Sequence, residues 1–114
     1  MISKDLLKGT LKTIVLKLLE ENDRMYGYEI TREVERLTEG KVQLSWGALY
    51  PALHKLEADH LITSEEESIG KRIRKYYRLT ESGTSAAKEK VREFIDFVTI
   101  MGRVLDTGPS LNLA

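Results

Sequence analysis

The sequence predicts a mainly α-helical domain with one small two-stranded β ribbon, on three observations. Apolar residues recur at helical spacing in three runs before residue 60 and in one long run after residue 80. Between them, residues 61–67 read as a strand and residues 72–79 as a returning strand of alternating character, on either side of Gly70. The 114 residues, 41% hydrophobic and 32% charged, suffice for a single core under a heavily charged exterior.

The first helix is expected over about residues 5–21, where Leu7, Leu11, Ile14, Val15 and Leu18 form one stripe with Lys8, Lys12 and Lys17 away from it. Asn22, Asp23 and Arg24 make a polar break. A second helix opens at Gly27, carries Ile30, Val34 and Leu37, and ends before Gly40. The hydroxyl of Ser45 suits the cap of a third helix, with Leu49, Leu53 and Leu56 on one face and an end near Asp59. Pro51 removes one backbone donor in that run, which predicts an irregular first turn. His60 closes the helix. Strands follow over residues 61–67 and 72–79, joined by a loop over 68–71. In the second strand Ile73, Tyr77 and Leu79 share one face and Arg72, Arg74, Tyr76 and Arg78 the other. Lys75 interrupts the apolar face and is expected to snorkel near the open end of the hairpin. Thr80 caps a last helix, with Glu81 favoured in its first turn, that runs to about Leu105 before Gly108 and Pro109.

Three helices and a two-stranded ribbon in that order make a winged helix-turn-helix, expected over residues 1–80, where the third helix can enter a major groove and the ribbon lies over the backbone. Residues 81–105 form a further helix and 106–114 a tail. From Phe94 to Leu105, eight of twelve positions are apolar: Phe94, Ile95, Phe97, Val98, Ile100, Met101, Val104 and Leu105. One face on a small domain cannot absorb them, so a second surface is needed.

Composition closes several routes. Without cysteine there is no disulfide framework, thiolate metal site or cysteine nucleophile. Lys4, Lys8, Lys12 and Lys17 interrupt the apolar runs of the first twenty residues, so neither a secretory segment nor a membrane span is expected, and the expected location is cytoplasmic. His54 and His60 stand about 240° apart on a helix, the wrong spacing for shared metal ligation. No nucleophile elbow, phosphate-cradling glycine loop or histidine-led metal motif is present, so neither an enzyme nor a cofactor is expected.

The net charge is zero but strongly blocked, at −4 over residues 20–40 and +5 over residues 69–80. The run Gly70-Lys71-Arg72-Ile73-Arg74-Lys75-Tyr76-Tyr77-Arg78 holds five cations, no acid and two tyrosines. Lys71, Arg72, Arg74, Tyr76 and Arg78 suit phosphate oxygens. A plainer reading is an edge ribbon whose charges deter aggregation, with Glu65, Glu66 and Glu67 blunting the field. On the third helix Ser45, Tyr50, His54 and Lys55 supply donors away from the apolar stripe, and Trp46 and Ala48 suit a thymine methyl. Trp46 and Tyr50 serve equally as core or interface aromatics.

Three blocks together resemble the PadR-type transcriptional regulators. These are Tyr26-Gly27-Tyr28-Glu29-Ile30, the run Gly47-Ala48-Leu49-Tyr50-Pro51-Ala52-Leu53-His54-Lys55-Leu56-Glu57, and Arg74-Lys75-Tyr76-Tyr77-Arg78-Leu79-Thr80 with Gly83. The sequence departs from the family pattern at Trp46, where a small polar or acidic residue is expected. The resemblance implies a homodimeric repressor paired through its C-terminal helix on a pseudo-palindromic operator of double-stranded DNA. Some relatives bind flat aromatic compounds between subunits, and Phe94 and Phe97 are the residues that could make such a contact here. The rival reading is a winged-helix protein-interaction module that ignores DNA.

Overall fold

The computed structural model describes residues 2–106. Five helices and three strands follow in the order α1 (Lys4–Lys8), α2 (Leu11–Glu21), β1 (Met25–Tyr26), α3 (Gly27–Leu37), α4 (Trp46–Ala58), β2 (Ile62–Ile69), β3 (Arg72–Leu79) and α5 (Glu81–Leu105). The first predicted helix is thus two. Gly9 ends α1, and the Thr10 hydroxyl donates to the Leu7 carbonyl at 3.1 Å, a side-chain bond that competes with continued helix. The buried stripe lies on α2, where Leu16 and Leu19 join Leu11, Val15 and Leu18.

The ribbon gains a third strand. Met25–Tyr26 pairs antiparallel with β3, Met25 opposite Tyr77 and Tyr26 opposite Tyr76, giving the sheet order β1-β3-β2. The expected four-residue loop is a two-residue turn, Gly70-Lys71, because Ile69 pairs with Arg72. Gly70 takes φ +60°, the left-handed conformation a tight hairpin asks of its first turn residue.

Helix α4 buries Leu49, Ala52, Leu53 and Leu56 against α2, α3 and β2. Its cap is as expected, Ser45 Oγ accepting from the Ala48 amide at 3.2 Å. The helix continues through Pro51, which lies on the exposed face. His60, at φ +61°, turns the chain out of it while the Leu61 amide reaches back to the Leu56 carbonyl at 3.0 Å. That left-handed exit satisfies carbonyls the helix end would otherwise orphan.

The start of α5 is fastened to this exit. Thr80 Oγ1 accepts from the Gly83 amide at 3.0 Å as cap, and donates to the carbonyls of His60 at 2.7 Å and Leu61 at 3.1 Å. A side chain at Gly83 would put its Cβ 1.8 Å from the Leu61 carbonyl oxygen. The helix then packs along α2, burying Ala87. The stop signals at Gly108 and Pro109, and the tail from residue 107 on, lie outside the described residues.

Candidate nucleic-acid interface

The outer face of α4 is aromatic and sparsely charged. Ser45, Trp46, Ala48, Tyr50, His54 and Lys55 are all exposed along it. Trp46 and Tyr50 rings lie 5.3 Å apart and Tyr50 and His54 rings 6.1 Å apart, a ladder at i, i+4, i+8 spacing. Lys55 reaches Asp59 at 3.2 Å, one turn on. Trp46 is 52% exposed, yet its ring folds back over the start of α3, where a Cβ on Gly27 would stand 2.3 Å from it. Only a glycine lets the indole lie there, so Trp46 links the two helices of the helix-turn-helix while showing its other face to solvent.

The wing's cations divide into two groups. At the tip, Lys71 and Arg72 are exposed and form no ion pair among the described residues. At the base, Arg78 bonds Glu65 at 3.0 Å and Asp23 at 3.4 Å, and Arg24 bonds Glu65 at 3.1 Å and Glu67 at 2.8 Å. The hydrogen bond from Arg78, then that from Arg24, holds the Glu65 carboxyl below the usual glutamate range. Between the groups, Arg74 lies 4.1 Å over the Tyr26 ring and donates to the Tyr76 hydroxyl at 3.4 Å, and Arg24 lies 3.8 Å over the Tyr76 ring. Arg24 escaped the sequence reading because nothing local joins residue 24 to residue 76; the short β1 pairing does.

Lys75 is not at the open end of the hairpin. It sits mid-strand opposite Glu66, 3.8 Å from Glu57 and 5.6 Å over the Tyr77 ring. It lines a groove of about 610 Å³ between α4 and the wing, which gathers Trp46 and Tyr50 with Arg72 and Arg74, and adds Tyr26, Tyr28, Ile69 and Ile73. Ile73, expected on a half-buried face, is 69% exposed because the tip extends past the helices.

The family model described as the transcriptional regulator PadR-like family matches residues 15–89, which span the helix-turn-helix, the wing and the start of α5. The chain belongs to the PadR-like family of transcriptional regulators. This family consists of regulators and not of enzymes, and the winged helix is its fold. The PadR-like chain is 37% identical over 90 residues to the Escherichia coli transcriptional regulator YqjI, covering 79% of this chain and 41% of that protein. It matches a transcriptional regulator structure from Clostridium thermocellum at a TM-score of 0.83 and 29% identity, over 90% of this chain and all of the other. A Bacillus subtilis PadR in complex with operator DNA matches at a TM-score of 0.64 and 28% identity, over 71% of this chain and 46% of that one. The chain thus spans less than half the length of two of these three relatives.

On the PadR-like chain's last helix, Phe94, Val98 and Met101 are half-buried, whereas Ile95, Phe97, Ile100, Val104 and Leu105 are exposed. Phe94 lines a second groove of about 380 Å³ together with Leu7, Ile14, Leu18, Leu37 and Val91. Phe97 stands outside that lining, so the two phenylalanines face different surroundings. Among the described residues no helix is long and apolar enough to cross a membrane, and no three His, Asp or Glu side chains gather as a metal site would require.

Proposed function

We propose that this chain is a sequence-specific DNA-binding repressor that acts as a homodimer in the cytoplasm on a pseudo-palindromic operator. The outer face of α4 enters the major groove, where Tyr50, His54 and Lys55 offer hydrogen bonds to base edges and Ala48 and Trp46 offer apolar contact. Lys71 and Arg72 at the wing tip take phosphates, joined by Arg74 and Tyr76. The lysines of the first helical segment lie at the rim, except Lys17, which is occupied by Glu20 and Glu21 at 3.3 and 2.9 Å.

One observation carries this reading: wing-tip cations with no ion pair among the described residues stand beside an exposed helix face that presents donors. Arg78 is the weakest member of the set, because two carboxylates already hold its guanidinium.

Dimerisation through α5 is supported by Ile95, Phe97, Ile100, Val104 and Leu105, large side chains left in water on one 25-residue helix. Two copies place their α4 helices about one DNA turn apart, roughly 34 Å. A small flat aromatic effector binding near Phe94 or Phe97 would act by favouring one dimer geometry.

The test is gel shift and footprinting on the chain's own upstream region, with sedimentation in parallel. A retained duplex and a dimer are the expected results. Lone protomers at working concentrations, with the duplex present, would overturn the proposal. A dimer that ignores DNA would instead favour a protein-interaction module.

A further inference from the structure

The inner face of the wing loses its cover part-way along. Ile62 pairs with Leu79 and Ser64 with Tyr77, and Ile62 and Tyr77 are buried. Beyond that rung Glu66, Ser68, Ile73 and Lys75, which share the face, are all exposed. Where the cover ends stands Glu57, in the last turn of α4. Its Oε2 accepts from the Ser64 hydroxyl at 2.5 Å, and its Oε1 lies 3.8 Å from Lys75 Nζ. Among the described residues no other side chain of α4 forms a hydrogen bond or ion pair with β2 or β3.

Apolar packing is non-directional and lets two elements tilt against each other, whereas a hydrogen bond has a preferred line. Glu57 thus ties the helix proposed to read bases to the strands that carry the proposed phosphate grip. From Ser64 the strand runs on to Ile69, about 17 Å at roughly 3.4 Å per residue, so a tilt of about 10° at Ser64 carries the tip about 3 Å, beyond the tolerance of a hydrogen bond. We infer that Glu57 is a positioning residue for DNA recognition: it sets the angle between α4 and the wing, so that Lys71 and Arg72 meet phosphates once α4 is seated. The inference rests on the function proposed above. Of the two arms the Ser64 bond carries the alignment, being short and charge-assisted, while an exposed ion pair at 3.8 Å adds little.

The chain has one tryptophan and no cysteine, and Trp46 and Arg72 line one groove, so a bimane label on Lys71→Cys reports the angle through quenching by the indole. Measured without DNA, Glu57→Ala and Ser64→Ala should each lose about half of that quenching, and Lys75→Gln almost none. In the unlabelled chain, Glu57→Ala should bind the upstream duplex about tenfold more weakly per half-site and a shuffled duplex within about twofold of wild type, because a pivoting wing still finds phosphates where no seated helix fixes the register. Replacing Lys71 and Arg72 by alanine in that background should then cost about 2.5-fold per half-site, in place of about 25-fold in the wild-type background. Glu57→Gln, which keeps an oxygen for the Ser64 hydroxyl, should stay within about threefold of wild type.

Equal losses on the two duplexes, full quenching in both alanine variants, or an undiminished cost of the tip replacement in Glu57→Ala would overturn the inference while DNA binding stands. If wild type retains no duplex at all, the proposed function fails and this inference with it. Ser64→Ala removes a single oxygen and carries the same test should Glu57→Ala not fold, which its melting temperature reveals.

Discussion

The tip and the base of the wing carry the same kind of side chain and use it differently. Lys71 and Arg72 at the tip keep their charge unspent, whereas Arg78 at the base divides its guanidinium between Glu65 and Asp23. The +5 segment of the sequence is therefore divided between cations already paired and cations without an ion pair among the described residues. Strand pairing decides the division: Thr63 lies opposite Arg78, Glu65 opposite Tyr76 and Glu67 opposite Arg74, so carboxylates share the face of the basal cations and stop before the turn. The base fastens the wing to the body, and in the function proposed above the tip serves the duplex.

That contrast predicts which substitutions move stability and which move binding. The largest effect belongs to the base, where Gly83→Ala drives a methyl group into the Leu61 carbonyl. Backbone must shift, and a loss of about 3 kcal/mol is expected by denaturant titration. A near-neutral result would mean that the α5 joint is loose.

Next comes the tip. The double variant Lys71→Ala, Arg72→Ala should melt like wild type yet bind DNA about 25-fold more weakly per half-site at roughly 0.15 M salt, with the slope of log K flattened by about 1.8 per half-site. A change in stability instead would reverse the comparison.

Gly27→Ala should cost about 1 kcal/mol, because the atom it meets belongs to the indole of Trp46 and not to backbone. The ring swings outward, and the emission of the protein's single tryptophan shifts to the red. Unchanged emission would contradict the packing of Trp46 on α3.

The smallest effect is at Arg78. Removing its side chain should leave the DNA salt slope unaltered, and its contribution to stability should be slight, as for exposed ion pairs generally. The same pairs give a pH dependence with a definite sign. Glu65 titrates below the usual glutamate range in the folded chain, so its stabilisation is present above that range and is lost as pH falls through the lowered value. Glu65→Gln should remove this acid-side component from a plot of melting temperature against pH.

Local signals were legible in the sequence and distant ones were not. Ser45 and Thr80 announced their helices because a cap needs only a side chain and an amide three residues on. The inner face of α4 followed from Leu49, Leu53 and Leu56, and the end of α5 near Leu105 from the Gly108 and Pro109 that come after it. The strand Met25–Tyr26 escaped because two residues have no periodicity; its partner, β3, lies fifty residues on. The break at Gly9-Thr10 was hidden beneath a continuous apolar spacing. Ser68 and Ile69 adjoin Gly70, which favours a loop, whereas the strand register pairs them with Ile73 and Arg72. For the candidate interface, the residue types of α4 and the wing were readable, but the sharing of Arg78, the stacking of Arg24 on Tyr76 and the place of Lys75 all depend on which strand lies beside which.

Sequence reading by the outer face of α4 is the central claim, and Tyr50→Ala tests it most directly. Affinity should be measured for the upstream duplex and for a shuffled duplex of equal length, in wild type and variant, at one salt concentration. The expected result is a fall of about tenfold per half-site on the upstream duplex, as for one lost base contact in each, with shuffled binding unchanged. Equal losses on both duplexes, or none on either, would contradict the account.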